Sequence, residues 1–142
     1  MLRLDPSCAV LTSNHLLLVQ LCLRTRAYSC ALPVLENRIF HIPCSDNTTE
    51  LASTLCAEHK SSLLFLNNAT GLSSKVTYYD YLRYFLYGGM VYMALKEWRK
   101  AFHFLGIVIS MPTASSVSLV MVEAYRKWIL VGLLDKGKVS SD

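Results

Sequence analysis

The chain has 142 residues, of which 53% are hydrophobic and 17% carry a charge, and its formal net charge is +4. This length and hydrophobicity allow one domain with a buried core and exclude general disorder. The low charged fraction and the mean hydropathy of +0.34 indicate apolar surface that a partner or a membrane covers, whereas the scattered basic residues argue against a nucleic-acid-binding protein.

The first predicted unit is a helix pair over residues 12–43. Apolar residues are dense over 12–23, which predicts a helix that a polar turn at 24–26 ends. A second helix is predicted over 29–40. Pro33 would lie in its first turn, where the missing N–H costs little.

Residues 44–76 are predicted to form an irregular connection. Polar stretches at 44–49 and 67–71 are typical of loops, and a short helix is predicted over 50–59. The apolar run at 63–66 is too short to be assigned to a strand or a helix.

Further repeats are predicted over residues 77–142. Thr77 precedes Asp80 by three positions, which resembles a capping box with aspartate in place of glutamate. Helices are predicted over 78–95 and, after a short turn, over 98–109. The apolar face of the latter helix is predicted to be Trp98, Phe102, Leu105 and Ile109.

No formally charged residue occurs over 101–122. A bilayer span needs roughly 20 apolar residues, so a small membrane protein with a span at 101–122 is one alternative. The proline and polar residues at 112–116 favour a turn between two helices instead. A helix is then predicted over 115–134, followed by a turn at 135–138 and the start of another helix at Val139.

A repeat underlies these helices. Ala31 and Ala101 lie 70 positions apart, about two periods of the helix-turn-helix repeat of the tetratricopeptide type, whose period is roughly 34 residues. Each alanine follows an aromatic residue by three positions, Tyr28 or Trp98. The sequence therefore predicts an all-α fold, a TPR-like α-solenoid segment of antiparallel helix pairs whose last repeat is incomplete.

The glycine pair Gly88 and Gly89 lies inside a predicted helix, where each glycine weakens the helix by roughly 1 kcal/mol relative to alanine. In a stacked repeat, a residue without a Cβ lets the neighbouring helix approach closely, and Gly89 occupies the small-residue position of the repeat. We expect the repeats to pack through Ala31, Leu35, Gly88, Gly89, Tyr92, Trp98, Ala101, Leu105, Tyr125 and Trp128.

No pattern of catalytic or metal-binding residues occurs. The four histidines are far apart, and the chain contains no HxH, HExxH, GxSxG, P-loop or GxGxxG pattern. We therefore expect no enzyme, cofactor or metal site. The tyrosines over 78–92 favour aromatic packing over base stacking.

The five cysteines are odd in number and include no CxxC pair. This pattern is typical of reduced thiols in a cytosolic or nuclear protein. The N-terminal region also lacks the pattern of a secretory signal, because its apolar run at 16–23 begins late and is interrupted by Gln20. We therefore expect the protein in the cytoplasm and nucleus.

Several short motifs carry a family resemblance. Upstream they are LTS at 11–13, QLCL at 20–23 and ALP at 31–33; downstream they are YFLYGGMVY at 84–92, LK at 95–96, Ala101, Pro112, EAYRK at 123–127 and GKV at 137–139. In these motifs the chain resembles the third subunit of the COP-9 signalosome over roughly residues 11–43 and 78–139.

The resemblance implies a non-catalytic scaffold subunit of a complex that removes Nedd8 from cullins, with the metalloprotease centre on another subunit. Its expected partners are the other signalosome subunits and, indirectly, cullin-RING ligases, with no nucleic acid and no membrane. Two departures are expected: the connection at 44–76 is longer than in the family, and the family's PCI domain with its winged helix is absent, as in a fragment of a longer protein. A proteasome-lid subunit, which shares the architecture, is the nearest alternative.

Overall fold

The structure, a computed structural model, describes residues 11–37, 39, 76–112 and 118–137, and every regular element in these ranges is a helix. The elements are α1 (Ser13–Thr25), a 3₁₀ turn (Tyr28–Ala31), the single-turn helix α2 (Leu32–Leu35), α3 (Tyr78–Ala94), α4 (Trp98–Ser110) and α5 (Leu119–Lys136). The predicted helix at 50–59, the apolar run at 63–66 and nearly all of the predicted connection at 44–76 lie outside the described residues.

Helix α1 begins where predicted, but its cap uses a histidine. The Thr12 backbone is extended, and its N–H donates to His15 Nδ1 at 3.2 Å, as the side chain at the third helical position does in a capping box. The His15 ring is 4% exposed and meets the Tyr84 ring edge-on, with the centroids 6.3 Å apart. One side chain thus caps α1 and packs it on α3.

The helix predicted over 29–40 is shorter than expected. A 3₁₀ turn precedes α2, and α2 ends at Leu35. Pro33 lies in the first turn, as predicted, but the Asn37 side-chain amide donates to the Pro33 carbonyl at 2.8 Å. That carbonyl is the acceptor that the Asn37 backbone N–H would use in a continued helix, so the side chain competes with the helix and ends it.

Helix α3 confirms both the predicted helix and its capping box. The Thr77 N–H donates to Asp80 Oδ2 at 3.0 Å, and the Asp80 N–H donates to Thr77 Oγ1 at 3.3 Å. Both ends of the box are therefore satisfied, and the chain enters a helix of 17 residues that continues through the two glycines.

Helix α4 lies between α3 and α5. Its buried centre is Ala101, Leu105 and Val108. Of the predicted face, Leu105 is buried, whereas Trp98, Phe102 and Ile109 are only half-buried. The prediction found one flank of the helix, because a helix covered on two sides buries a wider arc than one amphipathic stripe.

The break after α4 occurs at Met111, which is extended, and the Tyr78 hydroxyl donates to the Pro112 carbonyl at 3.0 Å. No helix in the described parts of the chain combines the length and apolar character of a membrane crossing. Helix α4 ends at Ser110 and α5 begins at Leu119, so residues 101–122 do not form one continuous helix.

Helix α5 begins later than the predicted start at 115. Ser118 is extended and its Oγ accepts from the Met121 N–H at 3.3 Å, so the helix begins at Leu119. It continues two residues past the predicted end at 134 and stops at Gly137, whose φ of 64° is left-handed. The helix predicted to start at Val139 lies outside the described residues.

The N-termini of α1 and α3 lie side by side, so the two helices run in the same direction and α4 returns antiparallel to them. A cavity of about 250 Å³ between these N-termini is lined by Leu11, Thr12, Ser13, Leu16, Leu17, Val76 and Asp80. The turns after the two helices are similar: α1 and α3 are each followed within two residues by a basic residue with a left-handed backbone, Arg26 or Lys96.

The Asp80 cap gives a pH-dependent prediction. The hydrogen bond from the Thr77 backbone, supported by the Thr77 hydroxyl and Arg83, lowers the pKa of Asp80. Because the folded-state pKa is below the unfolded one, this stabilisation is complete above the unfolded pKa and is lost as the pH falls through the folded pKa. We expect Asp80→Asn to lower the free energy of unfolding by about 0.5–1 kcal/mol at pH 7.

Urea denaturation at a series of pH values measures this effect. The difference between Asp80→Asn and the parent should shrink and then disappear as the pH falls through the lowered folded-state pKa of Asp80 and the parent carboxyl is protonated. Asp135→Asn, the same change at an exposed position in the last turn of α5, is the matched control and should not destabilise. A deficit that persists unchanged in strong acid would show that the Asp80 charge is not its source.

Candidate functional site

The two glycines of α3 mark its closest contacts with other elements. A Cβ built on Gly89 would lie 2.9 Å from both Cγ and Cδ2 of Leu105 in α4. A Cβ on Gly88 would lie 2.8 Å from the Phe104 ring and 2.9 Å from Leu35 Cδ2 in α2. Carbon atoms in contact are normally about 3.5–4 Å apart, so a side chain at either position would push α3 away from its neighbours.

The two alanines that define the 70-residue equivalence both lie in the core. Ala31 and Ala101 are fully buried, and the leucines that follow them by four positions, Leu35 and Leu105, are also buried. Each leucine fills the space beside one glycine of α3. Around the glycine pair, the structure therefore brings together six of the ten residues expected to pack the repeats. They are Ala31, Leu35, Gly88, Gly89, Ala101 and Leu105.

Tyr92 lies one turn after the glycine pair and is buried. Its ring meets Phe104 edge-on with the centroids 5.1 Å apart, and Lys100 Nζ lies 5.5 Å from the ring centroid. Lys100 also pairs with Glu36 at 3.3 Å. This pair links the end of α2 to the first turn of α4 across the Tyr92 ring.

The Tyr92 hydroxyl is not suited to act as an acid or a base at neutral pH. Burial, followed by the carboxylates of Glu36 and Glu97, raises the pKa of Tyr92 to about 12. The phenol therefore remains protonated at physiological pH. Its role is in packing rather than in acid-base chemistry.

The remaining expected packing residues lie away from the glycines. Trp98 is half-buried at the start of α4, and Trp128 of α5 stacks on Phe102 with the ring centroids 4.6 Å apart. Tyr125 is 51% exposed and stacks on the outer side of Trp128. The structure therefore places Tyr125 at the surface rather than in the contact between helices.

Three features of the site escaped the sequence analysis: the Phe104 ring over Gly88, the Lys100–Glu36 pair and the histidine cap. The first two join residues that no short spacing relates. The cap did have a signal, a threonine three positions before a histidine, but glutamate or glutamine is the usual partner in that pattern.

Among the described residues, no group of three or more His, Cys, Asp or Glu side chains could hold a metal ion. Cys22 and Cys30 are free thiols, and burial, followed by the nearby Cys30, raises the pKa of Cys22. A raised pKa leaves the thiol protonated and unreactive at neutral pH. The buried Cys22 side chain therefore contributes packing.

Helix α5 exposes an apolar face that no described residue covers. Hydrophobic residues continue on the outer side of the helix, away from the contact that Ala124 and Val131 make with the core. In a helical-repeat protein such a face is buried by a neighbouring unit. The α5 face consists of Leu119, Val122, Leu130, Leu133 and Leu134.

A sequence profile described as COP9 signalosome complex subunit 3, N-terminal helical repeats, matches residues 1–141. The similarity agrees with the all-helical architecture of the described residues.

Three relatives, each named COP9 signalosome complex subunit 3, illustrate the range of similarity. The chain is 49% identical over 132 residues to the protein from Emericella nidulans, and the aligned region covers 93% of this chain and 27% of the relative. It is 34% identical over 139 residues to the protein from Neurospora crassa, covering 97% and 28%. It is 33% identical over 130 residues to the protein from Drosophila melanogaster, covering 92% and 26%. The chain thus spans about a quarter of the length of these curated relatives.

The glycine contacts predict a graded loss of stability. We expect Gly89→Leu to lower the free energy of unfolding by about 1–3 kcal/mol or to prevent folding, because the fully buried Leu105 side chain already occupies this space. Gly88→Ala should cost less, since it adds one carbon against Phe104. Gly106→Ala is the control: its Cβ would meet Trp128 Nε1 at 3.6 Å, an ordinary contact, so the variant should gain up to about 1 kcal/mol from helix propensity.

Chemical denaturation of the three variants tests this order. A Gly89→Leu chain as stable as Gly106→Ala would show that the close approach of α3 and α4 does not depend on the missing Cβ.

The α5 face predicts self-association. We expect the isolated chain to form oligomers or aggregates at micromolar concentration, because leucines up to 87% exposed lie along one helix face. Leu130→Glu combined with Leu134→Glu should shift it towards the monomer in sedimentation velocity. Ser110→Glu, an added charge on α4, should leave the association unchanged; an equal effect of both changes would implicate net charge instead.

Proposed function

We propose a function from one premise: the chain belongs to the family of COP9 signalosome complex subunit 3, whose N-terminal helical repeats it matches. We infer that it is a non-catalytic scaffold segment of the signalosome and acts through protein–protein contacts. Through them it would support cullin deneddylation and the regulation of cullin-RING ubiquitin ligases. The profile match over residues 1–141 carries the proposal.

The packing of the described helices supports a scaffold role. The glycine contacts and the Lys100–Glu36 pair fix α2, α3 and α4 relative to one another, so the surface is held in a defined shape. The functional groups in this core are a neutral tyrosine and the protonated Cys22 thiol, which suit packing better than catalysis. A rigid support with an exposed apolar face is suited to assembly.

The match to subunit 3 favours the signalosome over the proteasome lid as the complex. Other signalosome subunits are then the proposed direct partners, and cullin-RING ligases are indirect ones. The proposed location is the cytoplasm and nucleus, which the two free cysteines of the described residues support.

Affinity purification of the tagged chain from its own cells tests the proposal. We expect signalosome subunits among the recovered proteins, at a level well above that in a purification with an unrelated tagged helical protein. Gly106→Ala should recover the same subunits as the parent. Gly89→Leu should recover less, since the disturbed α3–α4 contact changes the surface.

Two results would contradict the proposal. Recovery of proteasome-lid subunits without signalosome subunits would assign the chain to the alternative complex. Recovery of neither, from a chain that circular dichroism shows to be helical, would remove the scaffold function.

A further inference from the structure

One edge of the structure collects basic side chains. Because α1 and α3 run side by side in the same direction, their C-terminal ends and the start of α4 lie at the same edge. Four exposed cations belong to these ends. We call this group the basic edge; it consists of Arg24, Arg26, Lys96 and Arg99.

These cations have no ion pair within the described residues, unlike four basic residues elsewhere on the described helices. Arg83 pairs with Asp80 at 3.9 Å, Lys100 with Glu36 at 3.3 Å and Arg126 with Glu123 at 3.9 Å. The described acidic residues at this edge without an ion pair are Glu97 and, at the end of α5, Asp135. Within the part of the chain that the structure describes, the basic edge therefore keeps an excess of positive charge.

Helix capping explains the backbone at Arg26 and Lys96 but not their cationic side chains. Both backbones are left-handed, with φ of 58° and 61°, and their N–H groups donate to the Leu23 and Met93 carbonyls. Glycine is the usual residue in such a cap, because a Cβ is strained there. Arg99 lies in the first turn of α4, which contains no acidic residue, and there the helix dipole disfavours a cation. Arg24, in the last turn of α1, is the one whose charge the dipole favours.

An aromatic residue follows the left-handed position both after α1 and after α3. Arg26 and Lys96 are 70 positions apart, and each is followed two positions later by a half-buried aromatic residue, Tyr28 or Trp98. Arginine, tyrosine and tryptophan are the residues most enriched at the energetic centres of protein interfaces. The two turns therefore present the same pair of contacts, a cation and a ring, side by side.

The charge pattern selects among negatively charged partners. Glu97 lies between Lys96 and Arg99, so an unbroken row of phosphates would meet a repelling carboxylate in the centre of the edge. A protein segment rich in acidic residues can place a neutral or basic side chain there. The mixed pattern thus favours a protein over a nucleic acid or an anionic membrane.

We propose that the basic edge binds an acidic segment of a partner protein. The inference deepens the proposed scaffold function, on which it rests, by giving the chemistry of one contact. Each exposed charge pair contributes little alone, so the attraction comes from the four cations together. It accelerates association and weakens with added salt.

The test measures binding of a short synthetic peptide in which glutamate alternates with alanine to the chain tethered on a sensor surface at low salt. Arg26→Gly combined with Lys96→Gly is the most informative variant. It removes two charges and relieves two left-handed backbones, so it should bind the peptide about fivefold to tenfold more weakly while melting at the same temperature as the parent or higher.

Arg83→Gln combined with Arg126→Gln is the matched control, since it changes the net charge equally but lies outside the basic edge. It should bind the peptide as the parent does. Equal weakening in both double variants would overturn the proposal, because net charge alone would then explain the binding. Tighter binding of a thymidine oligonucleotide or of phosphatidylserine vesicles than of the peptide would also overturn it.

The affinity purification separates this inference from the function on which it rests. If the parent recovers signalosome subunits but the glycine double variant binds peptide as well as the parent, the proposed binding at the basic edge is wrong and the scaffold function is retained. If the parent recovers no signalosome subunits while the glycine double variant loses peptide binding, the scaffold function is wrong and the basic edge is supported.

Discussion

The structure depends on the close approach of α3 to its neighbours at two adjacent glycines. Leu105 of α4 occupies the space where Gly89 has no Cβ, and Phe104 together with Leu35 of α2 occupies the space beside Gly88. Each glycine costs helix propensity, roughly 1 kcal/mol relative to alanine. Burial of a leucine or phenylalanine side chain contributes about 1.5–3 kcal/mol, so the contact outweighs the loss.

This contact also explains why so short a helix as α2 has a fixed place. A single helical turn is not stable alone, because helix nucleation is unfavourable. Leu35 holds α2 against Gly88, and Glu36 holds it through Lys100 to the first turn of α4. Since Lys100 also lies over the Tyr92 ring, α2, α3 and α4 meet around one tyrosine.

The sequence predicted the long elements because their signals are local. The Thr77–Asp80 cap and the apolar density of α3 and α4 lie within single helices, and the 70-residue spacing of Ala31 and Ala101 needs no knowledge of the fold. It overestimated α2, where the Asn37 side chain takes the Pro33 carbonyl from the helix ladder. It also missed Phe104 over Gly88, because that contact joins two helices through three-dimensional packing alone.

Two pairs of residues are locally unfavourable where they stand: the glycines inside α3, which cost helix propensity, and Arg26 with Lys96, whose backbones are left-handed. At the glycine pair, the loss of helix propensity is compensated inside the chain by buried contacts that the structure contains. At Arg26 and Lys96, the left-handed backbone closes the ends of α1 and α3, since the N–H groups donate to the Leu23 and Met93 carbonyls, but both side chains are exposed and have no ion pair among the described residues. Glycine would close these helix ends without the strain of a Cβ, so capping alone does not account for the two cations. The glycines of α3 are therefore explained by folding, whereas the cations at these helix ends fit the proposed binding role of the basic edge.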